Sequence, residues 1–245
     1  MAELPKSIEE AIAQSREATI AAIADGYTRL KVELVFPELK SLPIVPQFLP
    51  AFEELGYQLK VFFPDTGAAA LARREWGEVP FKIEDLGSTR ARVQGKIKPE
   101  DEIFLLVEPS AVEIGQVEEL CQAAGDRPVV LLMPRLEDAA TIGIGYAARA
   151  LRDRFLNTLE SCYYIRPISG AAVFRCYPSP WQVWRETGED YQLVAEQSQR
   201  PVGEAIDQIL AAPDGNSSTD SGDAPPIKKP GLFTNMQRFL RALTR

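Results

Sequence analysis

The chain has 245 residues, 27 basic against 35 acidic side chains, three cysteines and no histidine. Its 45% hydrophobic and 25% charged residues suit a globular domain with a sizeable core, and it has no apolar run long enough to span a bilayer as a helix. Without histidine, Ser-His-Asp and Cys-His nucleophilic machinery, HExxH zinc sites and histidine-ligated haem are all excluded.

The opening MAELPKSIEE lacks the basic-then-apolar order of a signal peptide, so a cytoplasmic protein is expected. Cys121, Cys162 and Cys176 form no CxxC pair and read as reduced, mostly buried thiols. A helix is predicted over Ser7–Ala24. Ser7 and Glu10 have capping-box spacing, and Ile8, Ile12, Ile20 and Ile23 recur at helical intervals. Leu30–Phe36 alternates and then turns apolar, as a strand does. Pro46–Leu55 reads as a helix ending at Gly56, Tyr57–Phe63 as a strand, and Gly67–Trp76 as a short alanine-rich helix.

The rhythm continues with a weak strand at Phe81–Leu86 and a continuous apolar one at Glu102–Val107. A helix at Val112–Ala124, a strand at Pro128–Met133 and a long helix at Ile144–Leu159 follow. This βαβα order predicts a Rossmann-like α/β domain, a largely parallel sheet with helices on both faces. Four short strands, Tyr163–Ile168, Ala171–Tyr177, Trp181–Arg185 and Tyr191–Glu196, are expected to extend it antiparallel before a helix at Val202–Ala211. Three parts result: a domain over 5–212, a polar linker over 213–227 and a basic amphipathic helix over 228–245. The tail carries a formal charge of +5, the linker −3 and the rest of the chain −10.

Familiar motifs are incomplete. Gly143-Ile144-Gly145-Tyr146-Ala147-Ala148 matches GxGxxA, but it follows the last parallel strand instead of the first. Pro37-Glu38-Leu39, after the first strand, offers no glycine to a pyrophosphate. Asp65-Thr66-Gly67 carries the triplet of aspartic proteases only once, at a strand-to-helix junction that suits a capping aspartate. Asp65 also sits where a doubly wound sheet presents ligand-binding residues, and Arg135, at the end of the fifth strand, shares that edge and could pair with Asp65 or with an anion. Trp181 and Trp184 lie three apart, so one is expected on the core and the other near an edge.

Several separated stretches carry a resemblance: Phe63–Leu71 with Trp76, Pro128–Leu136, Ala148–Leu156, and Tyr163-Tyr164-x-x-Pro167 leading to Arg175-Cys176-Tyr177-Pro178-x-Pro180-Trp181. Together they resemble the domain-of-unknown-function 1995 family of cyanobacteria and chloroplasts. The resemblance implies an accessory factor in photosystem II assembly and brings no catalytic residues. It also implies a polar residue such as asparagine before Pro134-Arg135-Leu136, where this chain has Met133.

The expected function is therefore non-enzymatic: binding a photosystem membrane-protein client, or the anionic thylakoid surface, from the cytoplasmic side. No cofactor, metal or nucleic acid is expected. The alternative is a small-molecule or nucleotide-binding enzyme using the strand ends near Asp65 and Arg135. In the tail, Met236, Phe239 and Leu243 fall within about 40° of Leu232 on a helical wheel, and Phe233 and Leu240 extend the stripe to about 100° from it. Arg238, Arg241 and Arg245 lie opposite, and Lys228 and Lys229 precede the helix. These eleven residues are the expected membrane or partner contacts.

Overall fold

A computed structural model describes residues 2–53, 58–87, 92–136, 146–188 and 190–212. The expected linker and basic tail, Gly56 and the GxGxxA glycines Gly143 and Gly145 lie outside these residues.

Helix α1 (Ile8–Ala24) starts at Ser7, whose hydroxyl accepts from the Glu10 N–H at 3.1 Å. The reciprocal half of the capping box is displaced by one residue, because the Glu10 carboxylate accepts from the N–H of Lys6 at 2.7 Å. Strand β1 (Arg29–Leu34) follows. The single helix predicted over Pro46–Leu55 is instead two short ones, α2 (Val45–Phe48) and α3 (Pro50–Glu53). Pro50 explains the break, since it has no N–H to continue the ladder and its ring crowds the preceding turn. Next come β2 (Leu59–Phe63), α4 (Thr66–Trp76), β3 (Lys82–Asp85), β4 (Ile103–Val107), α5 (Ile114–Ala124) and β5 (Val129–Leu132).

Helix α6 is described over Tyr146–Arg154 and ends before the predicted Leu159. Phe155 leaves the helical region, and Leu156–Thr158 form a 3-10 turn in which the Thr158 hydroxyl donates to Phe155 O at 2.7 Å. That local bond competes with helix continuation. Strands β6 (Glu160–Ile168), β7 (Ala171–Cys176), β8 (Trp181–Thr187) and β9 (Asp190–Gln197) precede a final helix α7 (Glu204–Ala211).

The nine strands form one sheet in the order β3-β2-β4-β5-β1-β6-β7-β8-β9. The expected parallel strands all belong to it, since β3, β2, β4, β5, β1 and β6 run parallel. Only β7, β8 and β9 are antiparallel. The first strand expected in the antiparallel extension, β6, is thus the last of the parallel set. A hairpin can reverse the chain only once β6 has been laid beside β1 by a crossover.

Alternate residues of the central strands supply two cores. Leu30, Val32, Val61, Leu105, Val130 and Leu132 pack on one face beneath α1, α2, α3 and α4. Phe62, Phe104, Leu106, Val129 and Leu131 pack on the other beneath α5 and α6. The connections leaving β1 and β2 cover the first face, and those leaving β3, β4 and β5 the second. Right-handed crossovers travelling in opposite directions along a sheet require this split. At β5 and β1, neighbouring strands whose connections depart to opposite faces, a crevice opens at the carboxyl ends.

Candidate functional site

The crevice is a cleft of about 500 Å³. Glu33 and Val35 from β1 and its exit line it, with Leu39, Met133 and Arg135 beyond, and Arg166 near the end of β6. Its volume lies within the range typical of small-molecule sites, and its position is the usual one for an open parallel sheet.

Strand alternation gives the floor an unusual composition. Leu30, Val32 and Leu34 fill the first core, so Lys31 and Glu33 face the other side of a central strand. Glu33 is buried, accepts from the Ser161 hydroxyl at 2.8 Å, and lies 3.4 Å from the Lys31 ammonium. Pairing and hydrogen bonding offset the desolvation of a carboxylate so placed.

The rim holds two backbone turns of the same design. Glu108 after β4 and Met133 after β5 adopt φ +47° and +52°, and a proline follows each. For residues with a Cβ, the left-handed region costs about 1 kcal/mol. The surrounding bonds hold both turns in place. The N–H of Glu108 donates to Leu132 O at 2.8 Å, that of Met133 to Val32 O at 2.7 Å, and that of Arg135 to Pro109 O at 2.8 Å. The polar residue implied before Pro134-Arg135-Leu136 gains a physical reason, because asparagine tolerates this conformation. Met133 instead offers apolar surface to the cleft and the main core, and is only 8% exposed.

The two residues named from strand ends do not meet. Asp65 caps α4, its Oδ1 accepting from the Ala68 N–H at 2.9 Å. A Cβ at Gly67 would stand 3.0 Å from that oxygen, so glycine in the triplet Asp65-Thr66-Gly67 leaves the capping carboxylate clear. Arg135 pairs with Glu108 at 3.1 Å, and β4 stands between the strands that carry Asp65 and Arg135. Arg135 lines the cleft and Asp65 does not. Sequence reasoning passed over Glu33, Ser161 and Arg166. For Glu33 a signal was present, since a charged pair on one face of a central strand must find partners.

Other carboxylates along this edge are also engaged. Burial alone would raise the Asp85 carboxyl, but Lys96 at 2.6 Å holds it below its usual range. Glu113 closes a capping box with Ser110. Burial pushes the thiols of Cys121 and Cys162 up to about 12 and that of Cys176 up to about 11. At pH 8, Cys176 accordingly carries about a hundredfold less thiolate than at its ordinary value of 9.0. Ellman's reagent should therefore label none of the three quickly in the native protein and all three in denaturant. A fast native phase of one equivalent would contradict this.

The model of the family described as Domain of unknown function (DUF1995) matches residues 5–208. The chain belongs to that family. The match runs from just before α1 into α7, so the DUF1995 domain holds the whole sheet, both cores and the cleft.

Proposed function

We propose that this DUF1995 protein is a non-enzymatic accessory factor for a photosynthetic membrane complex, photosystem II by the family resemblance. In this reading it binds a membrane-protein client at the cytoplasmic face of the thylakoid. One observation carries the choice of binding over chemistry. Where an open parallel sheet keeps its reactive groups, each of the five carboxylates described above has a structural partner: Glu33 with Lys31 and Ser161, Asp65 with a helix start, Asp85 with Lys96, Glu108 with Arg135, and Glu113 with Ser110. A general acid or base needs a free proton position within reach of a substrate.

Attachment to the membrane is assigned to the C-terminal segment. No described helix is long and apolar enough to cross a membrane. Residues 228–245 hold five cations and no acid, and on a helical wheel three of them, Arg238, Arg241 and Arg245, lie opposite an apolar stripe from Leu232 to Leu243. Basic residues contribute about 1 kcal/mol each near anionic lipid, enough together for reversible attachment that weakens with salt. The intact chain should float with anionic liposomes, and a chain ending at Pro226 should not. It should also retain a photosystem subunit from solubilised thylakoids in a tail-dependent manner. Equal behaviour of the two chains in both assays would refute the assignment.

A further inference from the structure

We infer that the cleft at the carboxyl ends of β1, β5 and β6 is a binding site for a small anionic amphiphile. Its acidic head would lie between Arg135 and Arg166, and its hydrocarbon body against Val35, Leu39 and Met133. This inference is independent of the photosystem reading and of the tail.

Charge sets the head group. The chain as a whole carries −8, yet Arg135 and Arg166 both line this cleft, with Glu33 at its floor and Glu108 paired to Arg135. Glu33 already accepts from Ser161 and pairs with Lys31, and Glu108 occupies one side of Arg135. The Arg135 side chain remains 66% exposed, so its guanidinium has donors left to offer. Arg166 is likewise exposed at the opposite wall. Guanidinium groups match carboxylate and phosphate oxygens in a planar, two-bond geometry.

Apolar lining sets the body. Val35 is 40% exposed and Leu39 half-buried, both bordering a hollow of about 500 Å³. Such surface at a topological switch point is covered when a chain of methylenes enters it. Backbone conformation adds an independent reason. The left-handed Met133 at the cleft wall is a strained non-glycine turn, and such turns collect at binding sites.

The test is calorimetric titration of the full chain with decanoate and with decyl phosphate, each below its micellar concentration, and with decanol as the neutral control. One saturable site is expected for at least one acid, with decanol at least tenfold weaker. The tighter of the two acids identifies the head as carboxylate or phosphate. The double variant Arg135→Ala/Arg166→Ala removes two exposed side chains and should keep its melting temperature while weakening the acid at least tenfold. Leu39→Trp, which fills the hollow, should weaken acid and alcohol alike. Unchanged affinity in the double variant would place the ligand on the basic tail and overturn the site. So would equal binding of decanol, absence of saturable binding, or binding of ADP or an acidic peptide with none of the decyl acids.

Discussion

Replacing Asp101 by alanine should lower the free energy of unfolding by about 3–5 kcal/mol. Lys60 and Asp101 are 1% and 4% exposed, and their Nζ and Oδ2 atoms lie 2.6 Å apart. The same carboxylate oxygen accepts from the Lys98 N–H at 2.7 Å, and Lys60 also donates to the carbonyl of Lys96. The pair ties β2 to the segment that enters β4. Arg127 secures that segment from outside by donating to the carbonyls of Lys98 and Asp101 at 2.9 Å each, while its guanidinium covers the Phe104 ring at 5.0 Å. Removing the carboxylate strands a buried ammonium whose desolvation is no longer offset. A double variant, Lys60→Met/Asp101→Leu, removes both charges and should recover most of the loss, because the cost lies in the unpaired ion rather than in the absent attraction. Urea unfolding followed by circular dichroism measures both. A loss below about 1 kcal/mol for Asp101→Ala would mean that water reaches Lys60 and pairing is not what holds it.

Trp181→Ala should cost about 3–5 kcal/mol, while Trp184→Ala should cost clearly less. Trp181 is 6% exposed and meets Tyr164 edge-on with ring centroids 5.2 Å apart. The Arg175 guanidinium lies 5.4 Å from the indole. Arg200 lies 4.3 Å from the Tyr164 ring and donates to the Tyr164 hydroxyl at 2.7 Å. With Val173 and Ile206, these groups form the small third core that joins β6, β7 and β8 to α7. Removing the indole opens a cavity there and takes away the surface on which two cations stack. Trp184 faces the other side of the sheet, partly buried against the main core, with its Nε1 donating to Gln182 at 3.1 Å. Equal losses for the two variants in the same unfolding assay would contradict this division.

The two tryptophans show how sequence and structure share the work. A spacing of three in a strand puts side chains on opposite faces, so their separation is a local property of the backbone. Which face holds Trp181 in a closed core depends on α7 and Arg200, and no local pattern names those partners. Asp65 is a similar case. Its helix-capping role was legible in Asp65-Thr66-Gly67, because a cap and its clearance are decided within three residues. Its separation from Arg135 was not, because chain order puts β4 after β2 while strand order puts it between β2 and β5.

Local chemistry by itself therefore determined the α/β class and most strand positions, since periodicity, caps and composition act over a few residues, while separated sequence stretches carried the family resemblance. Pro50 was legible too, and its breaking of the second helix could have been read from the chain. The tertiary structure decided what depends on strand order. It set β1 between β5 and β6, which opened the cleft, turned Lys31 and Glu33 toward Ser161, and brought Arg135 and Arg166 to one rim. Those residues are about thirty to one hundred thirty positions apart in the chain. Only the crossovers that lay the strands side by side, held by hydrogen bonds between them, bring such distant residues together.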